Sequence, residues 1–157
     1  MGHLAGWAAE IKAIADGQAF SGALVKLTAN ESIADASATD VPWDSEVYDV
    51  GGWWAVSPNP TRLTVPAGVS RVIVSANVIW ALNQTGARFL GIHKNGATFI
   101  GMGQLRHLAK DNSEGNVISA AVDVSAGDYF ELSVLQTSGG NLNVLAQNES
   151  WFAVRAV

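Results

Sequence analysis

The amino-acid sequence describes an all-β, antiparallel sandwich preceded by one short helix. Three observations carry this. From Gly22 to Val157 the apolar residues recur with a period of two rather than 3.6. Gly and Asn turn signals punctuate that stretch at the short intervals of an antiparallel sandwich. Ahead of it, Leu4, Trp7, Ile11 and Ile14 fall at 3-4-3 spacing, the a/d seam of a helix that packs on other helices.

The helix comes first. Ala8 and Ala15 widen its apolar stripe, and Gly17 stands where a left-handed cap would end it. It would be roughly 20 Å long, too short to hold alone in water. It therefore needs partners, either its own domain or identical chains. Ile at both a and d leans toward three or more strands. Residues 1–20 form this trimerisation or attachment stub, and residues 21–157 form the head.

The first strand of the head is expected over Ala23 to Thr28. The segment from Ala29 to Pro60 holds three of the four prolines and many Asp, Ser and Gly residues, so short strands and loops are expected there. Arg62 to Val65 is a short strand before the Pro66-Ala67-Gly68 turn. Val72, Val74, Ala76, Val78, Trp80 and Leu82 alternate with Arg71, Ile73, Ser75, Asn77, Ile79 and Ala81. The second of these faces is half apolar, which points to cover on both sides. Arg88 to Lys94 and Thr98 to Gln104 flank Asn95-Gly96, the strongest short hairpin signal. One strand is expected through Ile118, Ala120, Val122 and Val124. Asp128 to Gln136 follows the Ala126-Gly127 turn, and Trp151 to Val157 is last. No helix is expected after Gly22, with Leu105 to Asp111 the least regular stretch.

Composition sets the limits on function. Charged residues are 15% of the chain and apolar residues 48%, against a usual charged share of about 25%. Either the core is large or partner chains cover apolar surface. A net charge of −5 and no Lys/Arg cluster exclude a phosphate-backbone footprint, so no nucleic-acid partner is expected. The chain has no Cys, which excludes disulfides, thiol catalysis and Cys-based zinc sites. Glu10 and Lys12 interrupt the first apolar stretch, unlike a secretory signal. The longest apolar run, Val72 to Leu82, is too short to span a bilayer, so no membrane insertion is expected.

Taken in order, "VKLTAN", "EVYDVGG", "NPTRLTVPAG", "RVIVSANVIW", "GIHKNGATFIG", "VDVSAGDYFELSVLQTSGG" and "WFAVRAV" resemble the bacterial and phage branch of the complement-globular-head and tumour-necrosis-factor-like (TNF-like) jelly rolls. The most specific pieces are Thr61 to Gly68, Lys94-Asn95-Gly96, and Ala126-Gly127-Asp128-Tyr129. The resemblance implies a jelly roll of about ten strands that assembles as a homotrimer, one sheet of each protomer facing the three-fold axis. It also implies a virion structural role: a surface spike or decoration protein of a phage or phage-like particle, assembled in the bacterial cytoplasm. The helix would attach it to a capsid or tail protein, and the head could touch host polysaccharide. Two alternatives are the glycan-recognising tip of a tail fibre and a secreted, cytokine-like trimeric ligand.

No enzyme is expected. The chain has no Gly-x-Ser-x-Gly elbow, no Walker loop and no His-Glu-x-x-His, and His3, His93 and His107 are scattered. No cofactor is called for. Asp40, Asp44, Glu46 and Asp49 crowd one loop region and form a candidate calcium set, or else a solvated acidic loop. Trp43, Trp53 and Trp54, with Asn59, form a candidate glycan site, since an indole face stacks on a sugar ring while amides bind hydroxyls. Asn83, Asn141 and Asn143 are further amides of that kind. The competing reading places Trp53 and Trp54 at the trimer interface or at one end of the barrel. Three Asn-x-Ser/Thr triplets, at Asn30, Asn83 and Asn148, are attributed to chance.

Overall fold

In a computed structural model of the chain, the described residues are 20–106, 113–146 and 148–157. The expected seam residues Leu4, Trp7, Ile11 and Ile14 lie outside them, as do His3, His107 and the end of the Leu105 to Asp111 stretch. The described residues form thirteen strands and no helix. These are β1 Gly22–Lys26, β2 Glu31–Ile33, β3 Thr39–Asp40, β4 Ser45–Val50, β5 Leu63–Thr64, β6 Arg71–Trp80, β7 Ala87–Lys94, β8 Thr98–Arg106, β9 Ser113–Ile118, β10 Val122–Asp123, β11 Tyr129–Gln136, β12 Leu142–Val144 and β13 Trp151–Ala156.

They make two antiparallel sheets. The larger runs β2-β12-β6-β13-β1-β4, with β9 and β10 also on β6. The smaller runs β3-β11-β7-β8, with β5 on β11. The alternation in β6 decides the packing. Val72, Val74, Ala76, Val78 and Trp80 are buried, and so are Leu90, Ile92, Phe130, Leu132 and Val134 of the smaller sheet. All belong to one apolar core. Each such Val, Leu, Ile or Phe side chain contributes about 1.5–3 kcal/mol. Gly101 and Gly103 lie close under the β9 backbone. A Cβ on Gly103 would sit 3.1 Å from the Asn116 carbonyl, so these glycines let β8 approach β9 where the sheets meet.

One of the strands beyond ten arises because the strand expected through Ile118 to Val124 is two strands, β9 and β10. At Ser119 the side chain enters the ladder: its Oγ accepts from the Val74 N–H at 2.9 Å. The pairing resumes only at Val122, opposite Val72. β12 carries little alternation of its own and is held by β2 on one side and Trp80 on the other.

Asn95-Gly96 turns as expected. Both residues have positive φ, 54° and 71°, the left-handed conformation that Gly and Asn adopt most readily, in a three-residue connection that sets Lys94 opposite Thr98. At the other end of β7, Arg88 is fully buried and no carboxylate pairs with it among the described residues. Its terminal nitrogens donate to the carbonyls of Thr85, Ala87 and Asn83. Burial lowers its pKa from the ordinary arginine value. Arg88 thus fastens the β6–β7 connection.

Candidate functional site

The sheets present two surfaces of interest: an open apolar face on the larger sheet and a cleft beside the loop after β4.

The open face follows from strand register. Tyr48, Leu24, Ala153, Ser75 and Ile118 lie in one row across β4, β1, β13, β6 and β9. Val50, Gly22, Arg155 and Ile73 form the next row. Ile118 is 68% exposed and Val50 48%. Phe20 packs edge-on against Tyr48 at 5.6 Å. A hollow of about 360 Å³ sinks between Leu24, Tyr48, Ile73, Ile118, Trp151 and Arg155. Along β6, the second face is covered within the chain at one end only. Asn77 and Ile79 are buried, and Asn77 Nδ2 donates to Glu114 Oε1 at 2.8 Å and the Glu149 carbonyl at 2.6 Å. Ile73 and Ser75 stay partly open. The face is thus mostly apolar and open within the protomer, with Ser75 and Arg155 as its polar members.

The cleft is built from the carboxylate of Asp49. Its Oδ1 accepts from the N–H groups of Gly52 and Trp53, and its Oδ2 from Trp54, each at 3.0 Å. These bonds fold the loop back on β4. Trp53 goes inward, where its Nε1 donates to Ser21 Oγ and the Val50 carbonyl, both at 3.2 Å. Trp54 is half-buried, and its Nε1 donates to the Pro60 carbonyl at 2.9 Å. An open cleft of about 210 Å³ lies between Gly52, Trp54, Pro58, Asn59, Arg62 and Thr64.

The structure thus brings together part of the expected glycan set. Trp54 and Asn59 share the cleft. Trp53 touches it but is buried in the core, so its indole face is not open to a sugar. Trp43 is removed from the set. It is 1% exposed and stacks on Phe152 at 5.9 Å, deep in the core. Arg62, on the cleft wall, had no local signal in the sequence. Asn83 and Asn30 serve backbone geometry, accepting from the N–H groups of Thr85 and Ala146 at 2.8 Å.

The four loop acids do not converge, which corrects the calcium set. Asp44 accepts from the N–H and hydroxyl of Thr28 at 2.7 and 2.8 Å. Asp49 is occupied as described. Glu46 is exposed on β4, in the larger sheet, whereas Asp40 sits on β3 in the smaller one. Asp40 instead meets His93, with its Oδ1 2.8 Å from Nε2. His93 is directly opposite Glu131 in the β7–β11 ladder. Among the described residues Asp40, His93 and Glu131 are the one His/acid group with ligand atoms close enough to share an ion, within 4.8 Å. Glu131 is already engaged. Its Oε1 accepts from the Thr61 hydroxyl at 2.6 Å and from Arg62 Nε at 3.2 Å. The arrangement joins β3, β7, β11 and the residues just before β5, and the cation beside Glu131 is Arg62.

No family model matches the chain, and no curated protein matches it. Solved structures do. The crystal structure of murine APRIL at pH 8.0 is 12% identical with a TM-score of 0.63, over 88% of this chain and 100% of that one. The structure of Eiger TNF from S. frugiperda is 17% identical with a TM-score of 0.55, over 88% of this chain and 92% of that one. The likeness is one of fold: two antiparallel sheets in the TNF-like jelly-roll arrangement.

Proposed function

We propose that this chain is a non-enzymatic, homotrimeric binding head of the TNF-like type, which presents three copies of one surface to a partner macromolecule. The observation that carries this is the open apolar face through Leu24, Tyr48, Ile73 and Ile118. Its occupant is a second copy of the chain, because TNF-like jelly rolls, the family the sequence motifs resemble, assemble with one sheet toward a three-fold axis. Burial of such a face is favourable by roughly 25 cal/mol per Å². The low charged fraction fits a surface that spends its life covered. The fold likeness to APRIL and Eiger TNF favours a ligand-type role, in which the trimer clusters its target through avidity.

A second reading has its own support. Thr61 to Gly68, Lys94-Asn95-Gly96 and Ala126 to Tyr129 resemble phage and bacterial members, which favours a spike on a virion surface, its helix held by a capsid or tail protein. Immunogold microscopy of particles from the source culture separates the two. Label on particle surfaces supports the virion role. Unlabelled particles, together with trimer-dependent binding to a cell-surface protein, support the ligand role. A monomeric chain overturns both.

A further inference from the structure

We infer that the Trp54–Asn59–Arg62 cleft binds an acidic saccharide, with a sugar carboxylate on Arg62. This rests on the reading of the chain as a multivalent binding head and names the ligand class. Three chemically distinct groups converge on one opening. Trp54 offers an indole whose Nε1 is tied to Pro60, so the ring is held for stacking rather than free to turn. Asn59 is exposed, and its amide carries both a donor and an acceptor. Arg62 supplies the charge.

The state of Arg62 sets the ligand class. Its Nε bonds Glu131 Oε1, and its guanidinium lies over the Tyr129 ring at 3.9 Å. These contacts fix the plane of the group. Its two terminal nitrogens bond nothing among the described residues, although the side chain is about two-thirds covered. A planar guanidinium held by one edge and open along the other matches a carboxylate with two parallel hydrogen bonds. A cleft of about 210 Å³ accepts one sugar ring and opens to solvent for the rest of a polymer. Gly52 leaves open space on the rim, where a Cβ would meet nothing within 4 Å. A polyuronate strand supplies the ring, the hydroxyls and the carboxylate in every unit, and three clefts on one trimer would hold it by avidity.

The test is calorimetric titration of the full chain with tetragalacturonate, with neutral maltotetraose and sodium acetate as comparators, and light scattering on the same samples. Tetragalacturonate is expected to bind and the comparators to bind at least about tenfold more weakly. Trp54→Ala and Arg62→Lys are each expected to weaken binding about tenfold, and Asn59→Ala about three- to tenfold, the size of one lost hydrogen bond. Asn59→Ala touches an exposed side chain, so it keeps the test open if the other variants fold poorly. Equal binding of maltotetraose overturns the role of Arg62. Equal binding of acetate overturns the saccharide. Absence of binding by a trimeric sample overturns this inference and leaves the binding head standing, whereas a monomeric sample removes the head.

Discussion

Lys94 Nζ lies 2.7 Å from Asp128 Oδ2, and this contact joins the β7–β8 hairpin turn to the turn that carries the chain from β10 in one sheet to β11 in the other. Asn95 completes the joint: its Nδ2 donates to Asp128 Oδ1 at 2.8 Å, and its Oδ1 accepts from the Tyr129 N–H at 2.9 Å. The Ser125 N–H also donates to Asp128. The β7–β8 turn is thereby locked to the entry of β11.

The lock is a pH-dependent element. Hydrogen bonds from Lys94, Asn95 and Ser125 hold the Asp128 carboxyl at about 2, below its ordinary 3.8. The folded value is the lower one, so the stabilisation is complete above about pH 4 and is lost as pH falls toward 2. Asp128→Asn should cost about 1 kcal/mol at neutral pH, after allowance for solvent screening. It should also flatten the stability profile between pH 4 and 2. Urea unfolding at several pH values checks this, and a variant that parallels the parent down to pH 2 would contradict it.

Asp49 is the keystone of the cleft loop. Asp49→Ala leaves the N–H groups of Gly52, Trp53 and Trp54 without their acceptor and should destabilise the chain by about 1–3 kcal/mol. Tryptophan emission should shift to the red as Trp53 gains water. Unchanged emission and melting temperature would show that the carboxylate does not hold the loop.

Two glycines with similar backbone angles should respond differently to the same change. Gly86 has φ 74° and Gly139 has φ 87°. A Cβ on Gly139 meets nothing within 4 Å, whereas one on Gly86 collides with the Thr137 carbonyl. Gly139→Ala should cost about 1 kcal/mol from backbone strain alone. Gly86→Ala should cost at least about 3 kcal/mol, since backbone rather than a flexible side chain must move. Paired thermal melts decide it.

Ile118→Glu isolates the open face. Ile118 is 68% exposed within the protomer, so the variant should keep its circular dichroism spectrum, and the trimer proposed above should dissociate. A charge buried without a partner at such an interface is costly enough to dissociate it. An associated, stable Ile118→Glu protein would move the interface elsewhere.

The legible parts of this fold are those set by local pattern. The alternation of β6 gives its buried face directly, and Asn95-Gly96 gives its turn. What the sequence hides is set by distant partners. Trp43 sits between Pro42 and Asp44 and looks like a loop residue, but Phe152 of the last strand buries it. Asp40 and Glu46 are near neighbours in the chain, yet the chain changes sheet between them. His93 gains its role only because β11 places Glu131 opposite it and β3 brings Asp40 alongside. The plane of Arg62 is set by Glu131 and Tyr129, almost seventy residues away in the chain, so nothing near Arg62 in the sequence signals it. The break at Ser119 was hidden because its hydroxyl replaces a ladder contact inside an otherwise alternating run.

The most direct measurement is the native mass of the full chain in solution by light scattering at micromolar concentration. A TNF-like head whose open face is covered by its own copies predicts three times the protomer mass of 16.4 kDa. A mass of 16.4 kDa, with the chain folded, would contradict it and leave the face through Leu24, Tyr48, Ile73 and Ile118 to a different partner.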